Sequence, residues 1–269
     1  MSALTFTLRK PPAARIDLRS LTPHRLADLS AEAVKAVTIH VGNERASVDD
    51  LFRVKGNDAN DIRIVGATER CDFVGHEMAG GAIAVDGDVG VEVGRRMRGG
   101  LLTVSGNAGP WAGSQMAGGR LEIGGDTGDR LGGPLQGELQ GMGGGLIVVS
   151  GSAGERAGER MRRGVIVVRK NAGGYAGYRM IAGTLVVLGK AGALPGYMMG
   201  RGTIILGKGT SAMSPTFADC GLQELAFLGL LGRSLAENTV DTGTLLRKPL
   251  RRHAGDLAAL GKGEIFTPA

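Results

Sequence analysis

Residues 145–164 read GLIVVSGSAGERAGERMRRG, and residues 164–183 read GVIVVRKNAGGYAGYRMIAG. The two segments share a glycine-rich phrase that returns after 19 residues, always with one methionine at the same position. These methionines are Met78, Met97, Met116, Met142, Met161, Met180 and Met199, separated by 19, 19, 26, 19, 19 and 19 residues. A fixed period of this length is typical of a repeat architecture.

Each repeat carries a short strand pattern followed by glycine corners. Apolar pairs two residues apart, such as Ile147 and Val149 or Ile166 and Val168, predict a strand with one face inward. No segment of the repeats shows the 3.6-residue period of a helix. We therefore predict an all-β dominated solenoid, in which each strand pairs with its equivalent in the next coil and methionine fills the aliphatic interior.

The first part of the chain, residues 1–60, lacks the repeat. Leu4–Leu8 and Val37–Val41 alternate apolar and polar residues, which predicts two short strands. Thr22 precedes a proline that opens a helical pattern, because proline is favoured in the first turn of a helix. This part is predicted to be a small N-terminal α/β cap.

The repeats occupy residues 61–220, and a C-terminal part follows at residues 221–269. The single 26-residue step contains an insert within residues 133–140, either a tolerated surface loop or part of a functional face. The apolar segment 222–231 is predicted to be a helix that covers the open end of the solenoid. The remainder is predicted to be a docking or packing tail.

Composition excludes several classes of protein. The chain has 269 residues, 48 glycines, 4% aromatic residues and a net charge of +6. The charge comes mostly from arginine, but no basic helix or aromatic RNA-binding motif accompanies it, so we expect no nucleic-acid partner. No run of 18 apolar residues and no secretory h-region occur, so we expect a cytoplasmic protein that does not enter the membrane.

No motif for catalysis or metal binding stands out. The histidines are dispersed, and the two cysteines form no C-x-x-C pair. Residues 207–210 (GKGT) resemble part of a P-loop, but a glycine interrupts the Gly-Lys-Ser/Thr order. The sequence therefore predicts no catalytic residue and no metal ligand. The residues concerned are His24, His40, His76, His253, Cys71 and Cys220.

Residues just before the core methionines form the candidate site. Arg160 and Arg179 are expected on adjacent coils, and so are Tyr178 and Tyr197, with Arg96 at the equivalent position of an earlier coil. Like charges stacked in register destabilise one another unless a counter-charge meets them. Two interpretations stay open: hydrated surface arginines, or a stripe that contacts an acidic ligand or subunit, since Tyr and Arg are enriched at interfaces.

The quoted repeats resemble those of the C-terminal domain of the large subunit of glutamate synthase, which implies a right-handed β-helix. Residues 4–56, from LTFTLRKPP to LFRVKG, resemble the formylmethanofuran dehydrogenase C-subunit family. The resemblance extends over roughly residues 1–225. Within that family, overall likeness is greatest to the C-subunit of bacterial formyltransferase/hydrolase complexes of one-carbon metabolism.

This resemblance implies a non-catalytic structural subunit. In such complexes formyl passes from formyl-tetrahydromethanopterin to a methanofuran-type carrier and is released as formate during formaldehyde oxidation. The implied partners are the amidohydrolase-like A-subunit, the B-subunit and the formyltransferase D-subunit, and this chain itself is expected to bind no cofactor. Carriers of this type bear glutamate-derived chains, which makes a polyglutamyl chain a candidate ligand of the arginine stripe.

Two alternatives remain at the level of sequence. The first is the C-subunit of a formylmethanofuran dehydrogenase that contains molybdenum or tungsten. The second is a glutamate-synthase-like β-helix linked to an amidotransferase.

Overall fold

The computed structural model describes residues 2–269. Its helices are α1 (Pro23–Leu26), α2 (Ala31–Ala36), α3 (Val48–Leu51) and α4 (Ala226–Glu237), with a 3₁₀ turn at Leu245–Arg247. Its strands are β1 (Ala3–Leu8), β2 (Ile16–Asp17), β3 (Thr38–Val41), β4 (Glu44–Ser47), β5 (Phe52–Lys55), β6 (Asp58–Ala67), β7 (Cys71–Asp72), β8 (Ala82–Gly87), β9 (Leu101–Val104), β10 (Arg120–Ile123), β11 (Leu146–Val149), β12 (Val165–Val168), β13 (Thr184–Val187), β14 (Arg201–Leu206), β15 (Ala218–Gln223), β16 (Leu250–Gly255) and β17 (Lys262–Thr267). The predicted dominance of β-structure is confirmed.

The repeats form a stack of parallel strands. A 13-stranded sheet has the order β15-β16-β17-β14-β13-β12-β11-β10-β9-β8-β6-β1-β5. From β8 to β14 each strand pairs in parallel with the equivalent strand of the next repeat, as Ile147 does with Ile166. The 26-residue step does not disturb this register, because Leu121 still pairs with Ile147.

Consecutive repeats also join at two further places. A line of single parallel bridges runs beside the strands, from Val89 through Ala108, Thr127, Ala153, Ala172 and Ala191 to Thr210. The second place is the corner before the methionine. Before Met161, for example, the N–H of Arg160 donates to the carbonyl of Tyr178 in the next repeat at 2.9 Å. These hydrogen bonds satisfy backbone groups that would otherwise lie unpaired against the core.

Methionine fills the interior as predicted. All seven repeat methionines are fully buried, together with the inward residues of the strands. The Met142 methyl lies where a side chain on Gly164 would project, 2.8 Å from an ideal Cβ. Successive repeats can approach this closely because glycine lacks a side chain, and full burial of one methionine stabilises the fold by about 1.5–3 kcal/mol.

A ladder of side-chain amides and carboxylates supports another corner. In each case the Oδ1 atom accepts the backbone N–H of a residue in the next repeat. The pairs are Asp88 with Asn107, Asn107 with Asp126, Asp126 with Ser152, and Asn171 with Lys190, at 2.6–2.9 Å. This hydrogen bond explains why a short polar residue, Asp or Asn, recurs at this position of the corner.

The N-terminal part extends the same sheet. Strand β1 pairs in parallel with β6 and antiparallel with β5, so the first repeat strand does not end as a free edge. The predicted helical pattern after Thr22 divides into α1 and α2. Ser30 caps α2 by accepting the N–H of Ala33, and this cap explains the break.

The C-terminal prediction was wrong in position and in what the helix covers. Residues 218–223 form β15, and α4 begins only at Ala226. The end of the repeats is covered by β17, which pairs with β14. The helix instead packs against the outward face of the last repeat strands, where Leu228 and Leu235 join one apolar cluster with Val148, Val167, Val186 and Ile205.

The sequence contained a signal for this arrangement. The middle outward residue is Ala84, Thr103 and Glu122 in earlier strands, but valine or isoleucine in the last four repeats. Apolar residues on both faces of a strand indicate that both faces are buried. The helix, together with Val240, Leu246 and Leu250 of the segment after it, covers the part of the sheet that cannot face water.

The corner glycine at Gly177 provides a test of the stacking. Its φ is +74°, and a Cβ would lie 2.5 Å from the Ile204 Cδ1 atom. We expect Gly177→Ala to lower the free energy of unfolding by about 1–3 kcal/mol, through left-handed strain and displacement of Ile204. Urea denaturation followed by circular dichroism measures this.

Gly174→Ala is the matched control in the same repeat. A Cβ there would meet its nearest atom, the Ala193 carbonyl oxygen, at 3.6 Å, an ordinary contact. Its expected effect is within about 0.5 kcal/mol. Equal destabilisation by both substitutions would contradict the role given to the Gly177 corner.

Candidate functional site

The corner before each methionine presents its side chains outward. Arg160 and Arg179 lie at positive φ, 48° and 51°, so the backbone turns sharply while both side chains remain exposed or half-buried. The N–H of Arg160 donates to the carbonyl of Tyr178, and that of Arg179 donates to the carbonyl of Tyr197, each at 2.9 Å. Four of the five predicted stripe residues therefore lie on adjacent repeats.

All three tyrosines of the chain meet at this corner. The Tyr178 and Tyr197 rings are stacked, with centroids 6.2 Å apart and an interplanar angle of 6°. Tyr175, which the stripe prediction did not include, contacts both rings edge-on at 6.2 and 6.1 Å. The sequence held a signal for Tyr175, because its position recurs once in every repeat. The residue at this position has positive φ, like the residue before the methionine.

Two arginines lie over the central tyrosine. The guanidinium carbons of Arg156 and Arg179 are 5.1 and 5.3 Å from the Tyr178 ring centroid. Such cation–π contacts contribute about 0.5–1 kcal/mol each at exposed sites. They orient the guanidinium groups without neutralising them, so their charge remains available to an anion.

Arg96, the fifth predicted residue, lies at the equivalent corner three repeats before Arg160 and is neutralised. Its Nε donates to Gln115 Oε1 at 2.9 Å, and its guanidinium nitrogens lie 3.9 Å from a Glu77 oxygen and 3.5 Å from a Glu138 oxygen. The adjacent Arg95 is buried and pairs with Glu138 at 2.7 Å. The charge at this end of the stripe is therefore compensated within the chain.

Glu138 belongs to the insert and connects the two ends of the stripe. Besides the contacts with the arginines, its Oε2 accepts the N–H of Leu135 at 2.9 Å, and its carbonyl accepts Arg160 Nη1 at 3.4 Å. Gln140 Oε1 accepts Arg162 Nη1 at 3.1 Å. The insert is thus attached to the corner and leaves Leu139 81% exposed at its tip.

The later end of the stripe is strongly basic. Across residues 2–269, its arginines form no ion pair with a carboxylate, in contrast to Arg95 and Arg96. The unpaired set consists of Arg156, Arg160, Arg162, Arg163, Arg179 and Arg201. Opposed charge from outside the chain would relieve their mutual repulsion.

The earlier end contains a half-buried histidine. His76 lines a cleft of ≈ 460 Å³ together with Arg19, Arg25, Glu77 and Glu92. Burial lowers the pKa of His76 to about 4, so the imidazole is neutral at physiological pH. Burial likewise raises the pKa of Glu92.

Other titratable residues are dispersed. Within residues 2–269, no three His, Cys, Asp or Glu side chains are grouped so that they could hold a metal ion. Cys71 is buried, and its burial raises the pKa of the thiol, whereas Cys220 is exposed. In the described part of the chain no helix has the length and apolar character needed to cross a membrane.

Comparison with known proteins shows to which proteins this chain is related. No family model matches the chain. It is 52% identical over 265 residues to the Fhc C-subunit of the formyltransferase/hydrolase complex of Methylorubrum extorquens, a match that covers 98% of this chain and 99% of the relative. The chain belongs to the Fhc C-subunit family. The family resemblance that the repeats and the N-terminal segment indicated is confirmed.

A solved structure agrees with membership in the C-subunit family. It is the crystal structure of the Methylorubrum extorquens formyltransferase/hydrolase complex FhcABCD in complex with methylofuran. One of its chains superposes with a TM-score of 0.92 and 41% sequence identity, over 98% of this chain and 99% of that chain. The C-subunit of the tungsten-containing formylmethanofuran dehydrogenase 2 of Methanothermobacter marburgensis is 35% identical, but over only 35% of this chain.

His76 predicts a pH dependence of stability. Its pKa is about 4 when folded against 6.5 for the ordinary side chain, so the unfolded chain binds the proton more readily. Stability attributable to neutral His76 is present above pH 6.5 and is lost as the pH falls toward 4. This residue should lower the free energy of unfolding by about 2 kcal/mol between pH 7 and pH 5.

Urea denaturation of a His76→Gln variant at both pH values isolates this contribution. The variant should show a smaller decrease between pH 7 and pH 5 than the wild type, by about 2 kcal/mol. His40→Gln, at an exposed position, is the matched control and should retain the wild-type decrease. An unaltered pH dependence in His76→Gln would contradict the assignment.

Proposed function

We propose that this chain is a structural subunit of a formyltransferase/hydrolase complex in one-carbon metabolism. The observation that carries the proposal is the 52% identity over nearly the whole length of both chains, together with a TM-score of 0.92 to one chain of the FhcABCD complex. Relatives from tungsten-containing dehydrogenases match only about a third of this chain, which favours the hydrolase complex. The activity of the whole complex would be formyl transfer from formyl-tetrahydromethanopterin to a carrier, followed by release of formate.

The architecture fits a scaffold. We propose that residues 61–220 form a right-handed β-helix, with residues 1–60 and 221–269 as terminal parts. In-register parallel pairing one repeat apart supports this, because parallel strands joined through crossovers are right-handed in nearly all proteins. A rigid stack of this kind offers long, repetitive faces on which sister subunits can assemble.

The partners and carrier follow from the relatives. We propose association in the cytoplasm with sister subunits that correspond to the other three members of the FhcABCD complex. We also propose a methanofuran-type carrier in the complex, since the related complex was crystallised with methylofuran. The proposal assigns neither a cofactor nor a metal to this chain, and the reacting groups would lie on sister subunits.

The stripe is proposed as the contact with the acidic chain of that carrier. Arg160 and Arg179 support it, since both guanidinium groups lack a carboxylate partner among the described residues while Tyr178 and Tyr197 form a rigid aromatic base beside them. Arginine favours bidentate contact with carboxylates. Arg96 would contribute less, because Glu77 and Glu138 already neutralise it.

The composition of the purified complex tests the scaffold role. A tagged chain, expressed with its sister subunits, should retain them in native mass spectrometry and yield formyl transfer and formate release without molybdenum, tungsten or iron–sulfur clusters. Molybdenum or tungsten with iron–sulfur absorbance would instead identify a formylmethanofuran dehydrogenase. A chain recovered without sister subunits would contradict the scaffold role altogether.

Charge reversal tests the stripe. The double substitution Arg160→Glu and Arg179→Glu should raise the apparent KM of the intact complex for carrier by about tenfold or more, because two charge-assisted contacts become repulsive. Arg45→Glu with Arg53→Glu changes the charge equally at exposed N-terminal positions and should leave KM unaltered. Unchanged KM in an intact stripe variant would refute carrier contact, and loss of assembly would show that the stripe is a subunit interface.

A further inference from the structure

A second cleft lies on the other side of the core methionines, at the C-terminal end of the repeats. Its volume is ≈ 480 Å³, and it is formed by the residues that follow Met161, Met180 and Met199 in three consecutive repeats. The floor consists of Ala182 and Gly200, two small residues between larger neighbours. Gly200 leaves room in the cleft, because a Cβ at this position would project toward Leu260 and lie 3.3 Å from its Cδ1 atom.

The rim of this cleft is cationic. Arg162 and Arg163 line one side and Arg201 the other, all three exposed, with Arg179 between the cleft and the tyrosines. Within the described chain, no carboxylate lines the cleft and none pairs with these arginines. Planar guanidinium groups so placed favour carboxylate ligands over simple hydration.

An apolar surface accompanies this charge. Ile181 is 40% exposed and Leu260 is 64% exposed, and both line the cleft. Leu257, also 64% exposed, belongs to the same turn as Leu260. Single exposed leucines are ordinary, but a group of them beside arginines has the composition of a protein interface.

The turn that holds these leucines is fixed to the repeats. Asp256 is fully buried, and its carboxylate accepts the N–H groups of Met198 and Ala258, each at 2.8 Å. Its carbonyl accepts the N–H of Gly261 at 3.0 Å. Leu257 and Leu260 are therefore preorganised for contact, which lowers the entropy cost of binding a partner.

We propose that this cleft docks an acidic segment of a sister subunit that carries one leucine-sized side chain between its carboxylates. Arg163 and Arg201 stand two repeats apart, about 10 Å, which is the span of about three extended residues. Carboxylates at both ends of that span meet the arginines, while the apolar side chain packs on Ile181 and Leu260. A polyphosphate chain would leave the apolar half of the cleft unused, which favours a protein segment over a nucleic acid. This inference rests on the proposed function, because it presupposes the complex.

Peptide binding to the full chain tests the chemistry of the cleft. The probe is a heptapeptide with three glutamates on each side of one leucine, measured by isothermal titration calorimetry. Arg163→Glu with Arg201→Glu should raise its Kd at least tenfold, whereas the charge-matched control Arg45→Glu with Arg53→Glu should leave it unaltered. Leu260→Ser should weaken binding of this peptide but not of hexaglutamate.

Two results with the free chain would overturn the inference. One is equal peptide affinity in the Arg163/Arg201 variant and the control, with both folded by circular dichroism. The other is tighter binding of a single-stranded oligonucleotide than of the peptide, which would make the cleft a nucleic-acid site.

Co-purification tests the identity of the partner. The tagged Arg163→Glu/Arg201→Glu chain should recover at least fivefold less sister subunit than the wild type or the control. Equal recovery by this variant would overturn the docking inference and leave the scaffold role intact. A wild-type chain that retains no sister subunit would overturn the proposed function itself, and the named partner with it.

Discussion

In-register stacking of parallel repeats is the constraint on which the rest of this molecule depends. Because Ile147 pairs with Ile166, and Ile166 with Leu185, every side chain lies directly above its counterpart in the neighbouring repeat. Inside, this places one methionine on another and demands glycine where a methyl group enters the next repeat. Outside, it aligns whatever residues occupy the corners, whether or not they attract one another.

That alignment explains how charge is distributed along the corner. Adjacent arginines cannot move apart along the stack, so each must find a counter-charge, an aromatic ring or water. Glu138, brought in by the insert, neutralises Arg95 and approaches Arg96. Arg156 and Arg179 instead lie over the Tyr178 ring, which leaves their charge unneutralised. At one end of the row of corners the arginine charge is therefore neutralised within the chain, while the other end is suited to an external acidic group.

The same geometry separates structural from functional surfaces. Strands whose outward residue is valine or isoleucine are covered by α4 and the segment that follows it, so this face is not accessible from outside the chain. The corners on either side of the methionines remain accessible and carry arginine, tyrosine and leucine. Accessible faces of this composition suit the proposed scaffold role.

The sequence by itself determined the repeat, its strand positions and the buried methionines, because a fixed period of glycine and apolar pairs restricts each residue to one environment. It also placed Arg160, Arg179, Tyr178 and Tyr197 on neighbouring repeats, which follows from register alone. Only the tertiary structure decided that Arg96 is neutralised, since Glu138 reaches it from an aperiodic insert whose path no repeat specifies. Likewise the position of α4 depended on apolar cover for Val167 and Val186, a long-range packing requirement that local pattern in residues 222–231 does not encode.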